Sequence, residues 1–483
     1  MNFRMIFKTL GFLLIVEAAC MLPSVFVSLI YRQDDFSAFI ITIVILLAFG
    51  VALYSIKPRN LNIYSRDGFA IVSIGWIMVS LFGALPFIFS GAIPSFTDAF
   101  FECVSGFSTT GASILNEVES LPKGILFWRS STHWLGGMGV LVLTLAVLPK
   151  AGASTYQIMR AESPGPNPDK LVPKIAQSAR ILYAIYMALT GITIVMLIVS
   201  GMPLFDSFIH GMGAAGTGGF SNMNRSIGEY NNLFSEIVIT VAQLVFGVNF
   251  TLYYYLLKGN VKSIFKDEEF RFYIGTYVVA VLIITINITG PIFGSAWESL
   301  RYATFQASTI MSTTGYSTTD FNLWPTLSKA ILVLLMFIGS CAGSTAGGLK
   351  CIRIIVLSKT IKREIRKVIH PRSVYAVKSG GKSLDESVLT GVSAFFFTYV
   401  AIFTIACIII AFNGKDLITT FTSVVASISN IGPGLGAVGP YGSYADFSTL
   451  SKYVLSFLML FGRLEIFPML ILFTPSFWSR ANI

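Results

Sequence analysis

The sequence predicts an all-α polytopic membrane protein in which four pseudo-symmetric units surround a central pore and two extra transmembrane helices precede them. Three observations lead to this class: an apolar composition, ten apolar runs of spanning length, and a loop motif that occurs four times between those runs. Each unit is expected to consist of a helix, a short re-entrant pore helix, a filter loop and a second helix.

The composition excludes most soluble classes of protein. Of the 483 residues, 54% are hydrophobic and 12% are charged. Soluble domains carry about 25% charged residues, so this chain cannot cover a water-exposed surface of its size. An ordinary soluble enzyme, a disordered chain and a coiled coil are therefore excluded. Because no nucleophile with a nearby base and no cluster of metal ligands stands out, we do not expect an enzyme.

The apolar runs predict the transmembrane helices. A spanning helix needs about 20 mostly apolar residues. The ten candidate runs, two of them interrupted by charges, are residues 9–31, 36–56, 68–97, 130–149, 181–205, 237–257, 272–297, 330–349, 387–414 and 453–478. The first run is too long for the apolar core of a signal peptide and lacks a cleavage pattern, so we expect it to be a retained helix.

The basic residues predict the orientation. Most of the 34 lysines and arginines lie in alternate loops, beginning with Arg4 and Lys8 and ending with Arg480. Such loops face the cytoplasm, so both termini are expected there. The densest basic run, residues 350–382, is either a topology signal or a surface that docks a cytosolic partner or anionic lipid. The net charge of +10 is thus mostly a topology signal, and we expect no nucleic-acid partner.

A fourfold repeat defines the four units. The repeated loops read Ser-Thr-Thr-Gly-Ala, Gly-Thr-Gly-Gly-Phe, Ser-Thr-Thr-Gly-Tyr and Ser-Asn-Ile-Gly-Pro. Alignment on Gly111, Gly219, Gly315 and Gly432 gives separations of 108, 96 and 117 residues. This predicts two N-terminal helices at 1–60 and pore units at 61–155, 172–260, 268–370 and 383–483.

A short amphipathic segment precedes each repeated glycine. An acidic residue opens each segment: Asp98, Asp206, Glu298 or Asp416. Acidic groups near a helix N-terminus complement the helix dipole. The segments are too short to span a bilayer, so we expect each to enter the membrane and return as a pore helix.

The loops that follow these segments predict a cation filter. Non-helical backbone at membrane depth must be buried in protein or line water. Four such loops around one axis can replace the hydration shell of a cation with their carbonyl oxygens. One Thr-Thr-Gly would indicate only a loop, whereas four copies at matching places favour the filter.

Residues 339–350 predict a break in the membrane-spanning run at 330–349. They contain four glycines among small polar residues, which interrupt a helix. The segment is either a movable plug below the filter or a site of close helix packing. Arg463 in the last run could hold this segment, repel cations or pair with Glu465. The lone groups Glu17, His133, His210 and Glu236 are interpreted as packing or hydrogen-bonding residues.

Three longer motifs carry a family resemblance. They are Trp128-Arg129 with Trp134-Leu-Gly-Gly-Met-Gly139, Gly343-Ser-Thr-Ala-Gly-Gly-Leu-Lys350, and Gly462-Arg-Leu-Glu465. With the four loops, they resemble the TrkH/TrkG/KtrB family of bacterial potassium uptake proteins, which is related to fungal Trk and plant HKT transporters. The two helices before the first unit are similar to the TrkH branch.

The resemblance implies the residues of a potassium site. The implied selectivity filter comprises Thr109, Thr110, Gly111, Ala112, Thr217, Gly218, Gly219, Phe220, Thr313, Thr314, Gly315, Tyr316, Asn430, Ile431, Gly432 and Pro433. The implied K+ ligands are Thr110, Gly111, Gly218, Gly219, Thr314, Gly315, Ile431 and Gly432. The implied gate comprises Gly343, Ser344, Thr345, Ala346, Gly347, Gly348 and Arg463.

The resemblance also implies partners and a compartment. The family forms homodimers in the bacterial plasma membrane and is regulated by a cytosolic, TrkA-like nucleotide-binding subunit. Any nucleotide would therefore bind the partner rather than this chain. Glycine at position 111, where sodium-permeable plant relatives have serine, favours potassium. Two mechanisms stay open: a channel-like pathway, and a secondary transporter that couples K+ entry to H+ or Na+.

Overall fold

The computed structural model of the protein describes residues 1–58, 60, 63–139, 175–372, 375–380 and 382–478. Within these ranges the regular structure is helical, apart from one antiparallel hairpin of β1 (Lys378–Ser379) and β2 (Lys382–Ser383). Parts of the predictions lie outside the described residues: the run at 130–149 from residue 140 onward, the adjoining end of unit 1, and the basic residues Arg59, Lys150, Arg160, Lys170, Lys174 and Arg480.

Two long helices open the chain, α1 (Phe3–Ile30) and α2 (Phe36–Tyr54), and they pack along each other. A Cβ added to Gly11 would lie 2.7 Å from the carbonyl oxygen of Gly50, so the pair depends on small residues for its close approach. Large apolar side chains such as Phe26 and Val44 are exposed on the outer side. This surface suits lipid rather than water.

Four groups of helices follow these two. The first contains α3 (Ser65–Gly83), α4 (Leu85–Phe89), α5 (Phe96–Phe107) and α6 (Lys123–Gly137). The second contains α7 (Ile175–Val199), α8 (Leu204–Gly216), α9 (Leu233–Phe246) and α10 (Phe250–Leu257). The third contains α11 (Val261–Lys266), α12 (Glu268–Ile288), α13 (Ala296–Met311), α14 (Thr326–Ile338) and α15 (Cys351–Ile369). The fourth contains α16 (Glu386–Ala411), α17 (Leu417–Ile428), α18 (Thr449–Arg463), α19 (Phe467–Leu472) and α20 (Pro475–Trp478).

The short helices α5, α8, α13 and α17 coincide with the predicted re-entrant segments. Asp98, Asp206 and Glu298 lie in the first turns of α5, α8 and α13, whereas Asp416 caps α17 with its side chain. Every residue of α5 from Ala99 to Phe107 is buried. The C-terminal halves of these four helices, here called the pore helices, are buried in the protein rather than exposed to lipid, whereas first-turn residues such as Leu204, Trp297 and Leu417 are exposed.

Fewer helices are long enough to span a membrane than the ten runs predicted. Among the described residues, six helices meet the length and composition of a span, or seven if α9 and α10 count as one. The continuous span predicted at 237–257 is wrong, because the chain bends by 94° between α9 and α10. The predicted break in the run at 330–349 is present, since α14 ends at Ile338 and α15 begins at Cys351.

The bend in the second group has a tertiary cause. The carbonyl oxygens of Phe246 and Gly247 accept hydrogen bonds from the backbone of Thr345 and Cys341. The N–H of Phe250 donates to the carbonyl oxygen of Gly343. Backbone groups that a continuous helix would pair internally are thus paired with the segment at 339–350, so the interruption leaves them satisfied.

Candidate ion-conduction site

The four repeated loops meet in one closed ring. A Cβ added to the central glycine of any loop would overlap with, or lie within 2.6 Å of, a carbonyl oxygen of the next loop. The pairs, in order round the ring, are Gly111 with Gly218, Gly219 with Thr314, Gly315 with Ile431, and Gly432 with Thr110. Residues from four distant parts of the chain thus form a single site in which only glycine leaves room for the neighbouring carbonyl.

The four loops share one unusual backbone conformation. The φ angles of Thr109, Thr217, Thr313 and Asn430 are 57°, 55°, 57° and 56°. The glycines two residues later have φ angles of 79°, 79°, 87° and 91°. A side chain in the left-handed region is strained and persists only where the surroundings impose it. The backbone is therefore repeated more faithfully than the side chains, which differ between the loops.

The carbonyl oxygens of the ring differ in their hydrogen bonding. Among the described residues, no hydrogen bond ends on the carbonyl oxygens of Thr110, Gly218, Thr314 and Ile431, although all four residues are buried. The carbonyl oxygen of Gly432 instead accepts a hydrogen bond from the Tyr444 hydroxyl at 2.7 Å. Buried carbonyls normally have a partner, so four unpaired ones in a ring are a site for an electropositive ligand.

A cavity lies on one side of the ring. It has a volume of about 270 Å³ and is lined by the four central glycines together with residues that follow them in each unit. The lining includes polar residues such as Asn116, Asn224 and Ser443. A hydrated ion could therefore reach the ring from this side.

A buried ion pair forms hydrogen bonds to residues that follow the first two loops. Arg129 of α6 donates from Nε to the Glu102 carboxylate of the first pore helix at 2.6 Å, and both side chains are nearly inaccessible. Glu102 also accepts hydrogen bonds at 2.9 Å from the Ser113 hydroxyl and the Ile114 backbone. Arg129 donates to the Ser221 carbonyl oxygen at 2.9 Å. Sequence reasoning missed Glu102, whose only signal was an acidic residue inside an apolar segment.

Replacing Glu102 by alanine is expected to destabilise the protein by about 3–5 kcal/mol, because it leaves the Arg129 charge buried without its partner. Thermal unfolding of the purified protein in detergent measures this loss. Glu386→Ala is the matched control, since Glu386 pairs with Arg363 while largely exposed and should cost less than about 1 kcal/mol. Equal melting temperatures for the two variants would contradict this account of the Glu102 pair.

The segment at 339–350, here called the intramembrane loop, lies on the other side of the ring from the cavity. The N–H of Gly347 donates to Thr313 Oγ1 at 2.8 Å, and the Thr345 hydroxyl lies 3.4 Å from that of Thr217. Thr217 and Thr313 immediately precede the ring residues Gly218 and Thr314. The intramembrane loop thus contacts two of the four repeated loops directly before their ring residues.

Glu269, a second residue that sequence reasoning missed, contacts both the intramembrane loop and the first turn of α15, which follows it. Its carboxylate accepts hydrogen bonds from the N–H of Ala342 at 2.7 Å and the N–H of Ile352 at 2.9 Å. Glu269 is buried in the first turn of α12. It ties the loop to the helix that opens the third unit.

Arg463 contacts the intramembrane loop through main-chain oxygens. It donates to the carbonyl oxygen of Thr345 at 2.6 Å, and to the carbonyl oxygens of Gly136 and Gly137 at the end of α6. Glu465, which the sequence offered as a possible partner, pairs with Arg353 instead. Of the three interpretations of Arg463, the structure thus favours the one in which it holds the loop.

The remaining lone polar groups differ in their surroundings. His210 contacts the Asp206 carbonyl oxygen at 2.8 Å and the Ser221 hydroxyl at 3.0 Å, and Glu236 pairs with Arg301. These contacts agree with the predicted hydrogen-bonding role. Glu17 is buried, and no hydrogen bond to its carboxylate is found among the described residues.

The Asp206 carboxylate anchors the second pore helix to the outer loop that follows it. It accepts hydrogen bonds at 2.8 Å from the Asn222 amide and the Tyr230 hydroxyl. Burial, with the Asp206 charge as a further cause, raises the pKa of Tyr230. The hydroxyl therefore stays protonated and remains a donor to Asp206.

Comparisons with known proteins find relatives that match nearly the whole chain. The family model described as TrkH, cation transport protein, matches residues 35–480. The Trk system potassium uptake protein TrkH of Salmonella typhimurium is 40% identical over 485 residues, covering 99% of this chain and 100% of the relative. TrkG of Escherichia coli, also a Trk system potassium uptake protein, is 36% identical and covers 98% of each chain. The crystal structure of the potassium transporter TrkH from Vibrio parahaemolyticus superposes with a TM-score of 0.89 at 36% identity, covering 99% of this chain and 100% of that one.

Proposed function

This chain belongs to the TrkH family of cation transport proteins, and from that premise we propose that it carries potassium ions across the membrane through the ring of four loops. The predicted family resemblance and the helical membrane class are confirmed. The relatives are named potassium uptake proteins of the Trk system. Their activity is transport rather than catalysis, in agreement with the expectation that the chain is not an enzyme.

The observation that carries this proposal is the ring of buried carbonyl oxygens without a hydrogen-bond donor. Oxygen dipoles that converge on one axis replace the water around a monovalent cation. The pore helices end three or four residues before the ring glycines, and their C-terminal ends add partial negative charge there. The site therefore favours a cation over an anion before any size selection.

The proposed ligands come from all four loops. They are the backbone oxygens of Thr110, Gly111, Gly218, Gly219, Thr314, Gly315, Ile431 and Gly432. The hydrogen bond from Tyr444 to Gly432 competes for one lone pair, so Ile431 is the stronger ligand in the fourth loop. The remaining predicted filter residues, Thr109, Ala112, Thr217, Phe220, Thr313, Tyr316, Asn430 and Pro433, would form the walls around these oxygens.

The intramembrane loop is proposed as the gate, held closed by Arg463. Its contacts with Thr313 and Thr217 support a position at the inner end of the filter. The guanidinium group of Arg463 adds a positive charge beneath the ring, which repels cations while the loop is docked. Opening would require the loop to leave both contacts.

The proposed assembly is a homodimer with both termini in the cytoplasm. The basic helix α15 carries Arg366 and Lys367 in its last turn, on the side where the basic-loop rule places the cytoplasm. A TrkA-like nucleotide-binding subunit of the Trk system is the proposed regulator at this side. As the family resemblance implies, any regulatory nucleotide would bind that partner.

Uptake by cells that lack their own potassium systems tests the function. We expect the chain to restore growth at low potassium and to take up K+ and Rb+ faster than Na+. Reversal potentials in proteoliposomes then separate the two mechanisms: a potential set by the K+ gradient alone supports a channel-like pathway. A shift with an imposed H+ or Na+ gradient would instead favour coupled transport, and absence of K+ flux would contradict both.

A further inference from the structure

Two of the four filter loops contain the same internal brace. In the first loop, the Ser108 hydroxyl lies 2.7 Å from the Thr110 hydroxyl. In the third loop, the equivalent groups of Ser312 and Thr314 are also 2.7 Å apart. Each hydrogen bond crosses the strained residue between its two partners and therefore helps to hold the left-handed turn.

The second loop adopts the same turn without this brace. Its equivalent residues are Gly216 and Gly218, which have no side-chain hydroxyl. Nevertheless, Thr217 and Gly219 have φ angles of 55° and 79°, almost identical to those in the first loop. A backbone hydrogen bond closes the turn in every loop, here from the N–H of Gly218 to the carbonyl oxygen of Gly213, so the second loop has one restraint fewer than the first and third.

The imidazole of His133 fills the place of the missing brace. A Cβ added to Gly218 would overlap with the His133 ring. Nδ1 of His133 lies 2.7 Å from the carbonyl oxygen of Gly106, at the end of the first pore helix. The N–H of Phe220 donates to Nε2 of His133 at 3.2 Å. The two partners assign the proton to Nδ1 and leave Nε2 as the acceptor.

The bond to Phe220 has a direct consequence for the ring. The N–H of Phe220 and the carbonyl of Gly219 belong to the same peptide group, and in a trans peptide they point in opposite directions. By holding this N–H, His133 directs the carbonyl oxygen of Gly219 away from α6 and into the ring. The Phe220 ring is also held between His133, at a centroid distance of 4.1 Å, and the Arg129 guanidinium, at 3.5 Å.

We propose that His133 is a positioning residue that substitutes for the hydroxyl brace in the second filter loop and thereby maintains the preference of the ring for K+ over Na+. This inference rests on the proposed function of the ring as a potassium filter. A looser second loop would let the Gly219 oxygen move inward to a smaller ion, so the loss of His133 should act on selectivity rather than on transport in general.

The test compares His133→Ala with His133→Gln in the full-length protein, measured as the ratio of K+ to Na+ uptake per molecule in the membrane. Glutamine can donate to Gly106 and accept from Phe220, so its ratio should stay close to that of the unchanged protein. Alanine removes both bonds, and loss of the bond to Phe220, which orients the Gly219 carbonyl oxygen, should lower the ratio by about fivefold, the factor that corresponds to one ordinary hydrogen bond. An unchanged ratio in the alanine variant, or an equal loss in both variants, would overturn the proposal.

Gly218→Ala provides a second readout. This change alone should impair uptake, because the new methyl group meets the His133 ring. In the His133→Ala background the methyl group has room, so the effects of the two changes should not add. If His133→Ala fails to accumulate in the membrane, His133→Asn replaces it in the test, since the shorter asparagine side chain reaches only one of the two partners. A lowered ratio of K+ to Na+ uptake in this variant supports the proposal, and an unchanged ratio refutes it. Absence of K+ uptake by the unchanged protein would instead refute the proposed function.

Discussion

Gly315→Ser is expected to lower the preference for K+ over Na+ by at least about tenfold and to reduce K+ uptake. Gly315 has a φ angle of +87°, and a Cβ at this position would overlap with the carbonyl oxygen of Ile431 and lie 2.8 Å from Pro433. The side chain would push the Ile431 oxygen, one of the unpaired ring carbonyls, out of place. Displacement of one ligand oxygen that weakens K+ binding by about 1.4 kcal/mol corresponds to a factor of about ten.

Gly290→Ser separates the effect on the ring from strain alone. Gly290 has a similar φ angle of +93°, but a Cβ there would have no atom within 4 Å. This variant carries the same backbone strain in open space, so its ion selectivity should not change. Uptake of K+ and Na+, normalised to the amount of protein in the membrane, measures both variants. If Gly315→Ser and the unchanged protein had equal selectivity, the third loop would not be part of a selectivity filter.

Deleting residues 343–347 is expected to raise K+ flux by more than roughly tenfold. The deletion removes the contact of Gly347 with Thr313 and that of Thr345 with Arg463. A hydrogen bond to a charged group, such as that from Arg463 to Thr345, contributes about 1.5–3 kcal/mol. Loss of this bond alone therefore shifts the equilibrium between closed and open gate toward the open state by more than roughly tenfold. The two ends of the loop are close together, because a Cβ on Gly339 would lie 3.0 Å from the Cα of Gly348. The flanking helices can therefore stay in place.

Two point variants separate the contributions of the contacts that the deletion removes together. Arg463→Gln removes the charge that holds the loop and should raise the flux by a smaller factor. Thr345→Ala keeps the carbonyl oxygen that Arg463 binds and loses only the hydroxyl contacts, including the long one with Thr217, so it should raise the flux less than Arg463→Gln does. Flux through single proteoliposomes with a fixed K+ gradient measures all three. A deletion variant that is present in the membrane but conducts no faster would show that the loop is not the closed gate.

The short helices and the glycine-centred loops were predictable because each is encoded locally. A short apolar segment with an acidic residue in its first turn is sufficient to predict a pore helix such as α5 or α13, whatever surrounds it. The break at Gly339 was predictable for the same reason, since glycines and small polar residues interrupt a helix in any environment. The bend between α9 and α10 was not, because its backbone is satisfied by a segment about 100 residues further along the chain.

The contacts that support the ring could not be predicted from residue types. Glu102 and Arg129 were readable as charges in apolar segments, but their pairing depends on how the first pore helix packs against α6. His133 was interpreted only as a hydrogen-bonding residue, because its partner Phe220 lies 87 residues away. The hydrogen bond from the Tyr444 hydroxyl to the carbonyl oxygen of Gly432 likewise depends on the packing of a distant loop and had no signal in the sequence.

Composition and short-range pattern were enough to establish a membrane protein with four pore helices and four glycine-centred loops, because lipid solvation and helix termination act on neighbouring residues. Only the tertiary structure decided three features: the order of contacts round the ring, the partner of Arg463 and the group that braces the second loop. These features arise from contacts between segments that are distant in the sequence. Such contacts form only when the helices pack together, and the packing decides which buried polar groups are paired with each other.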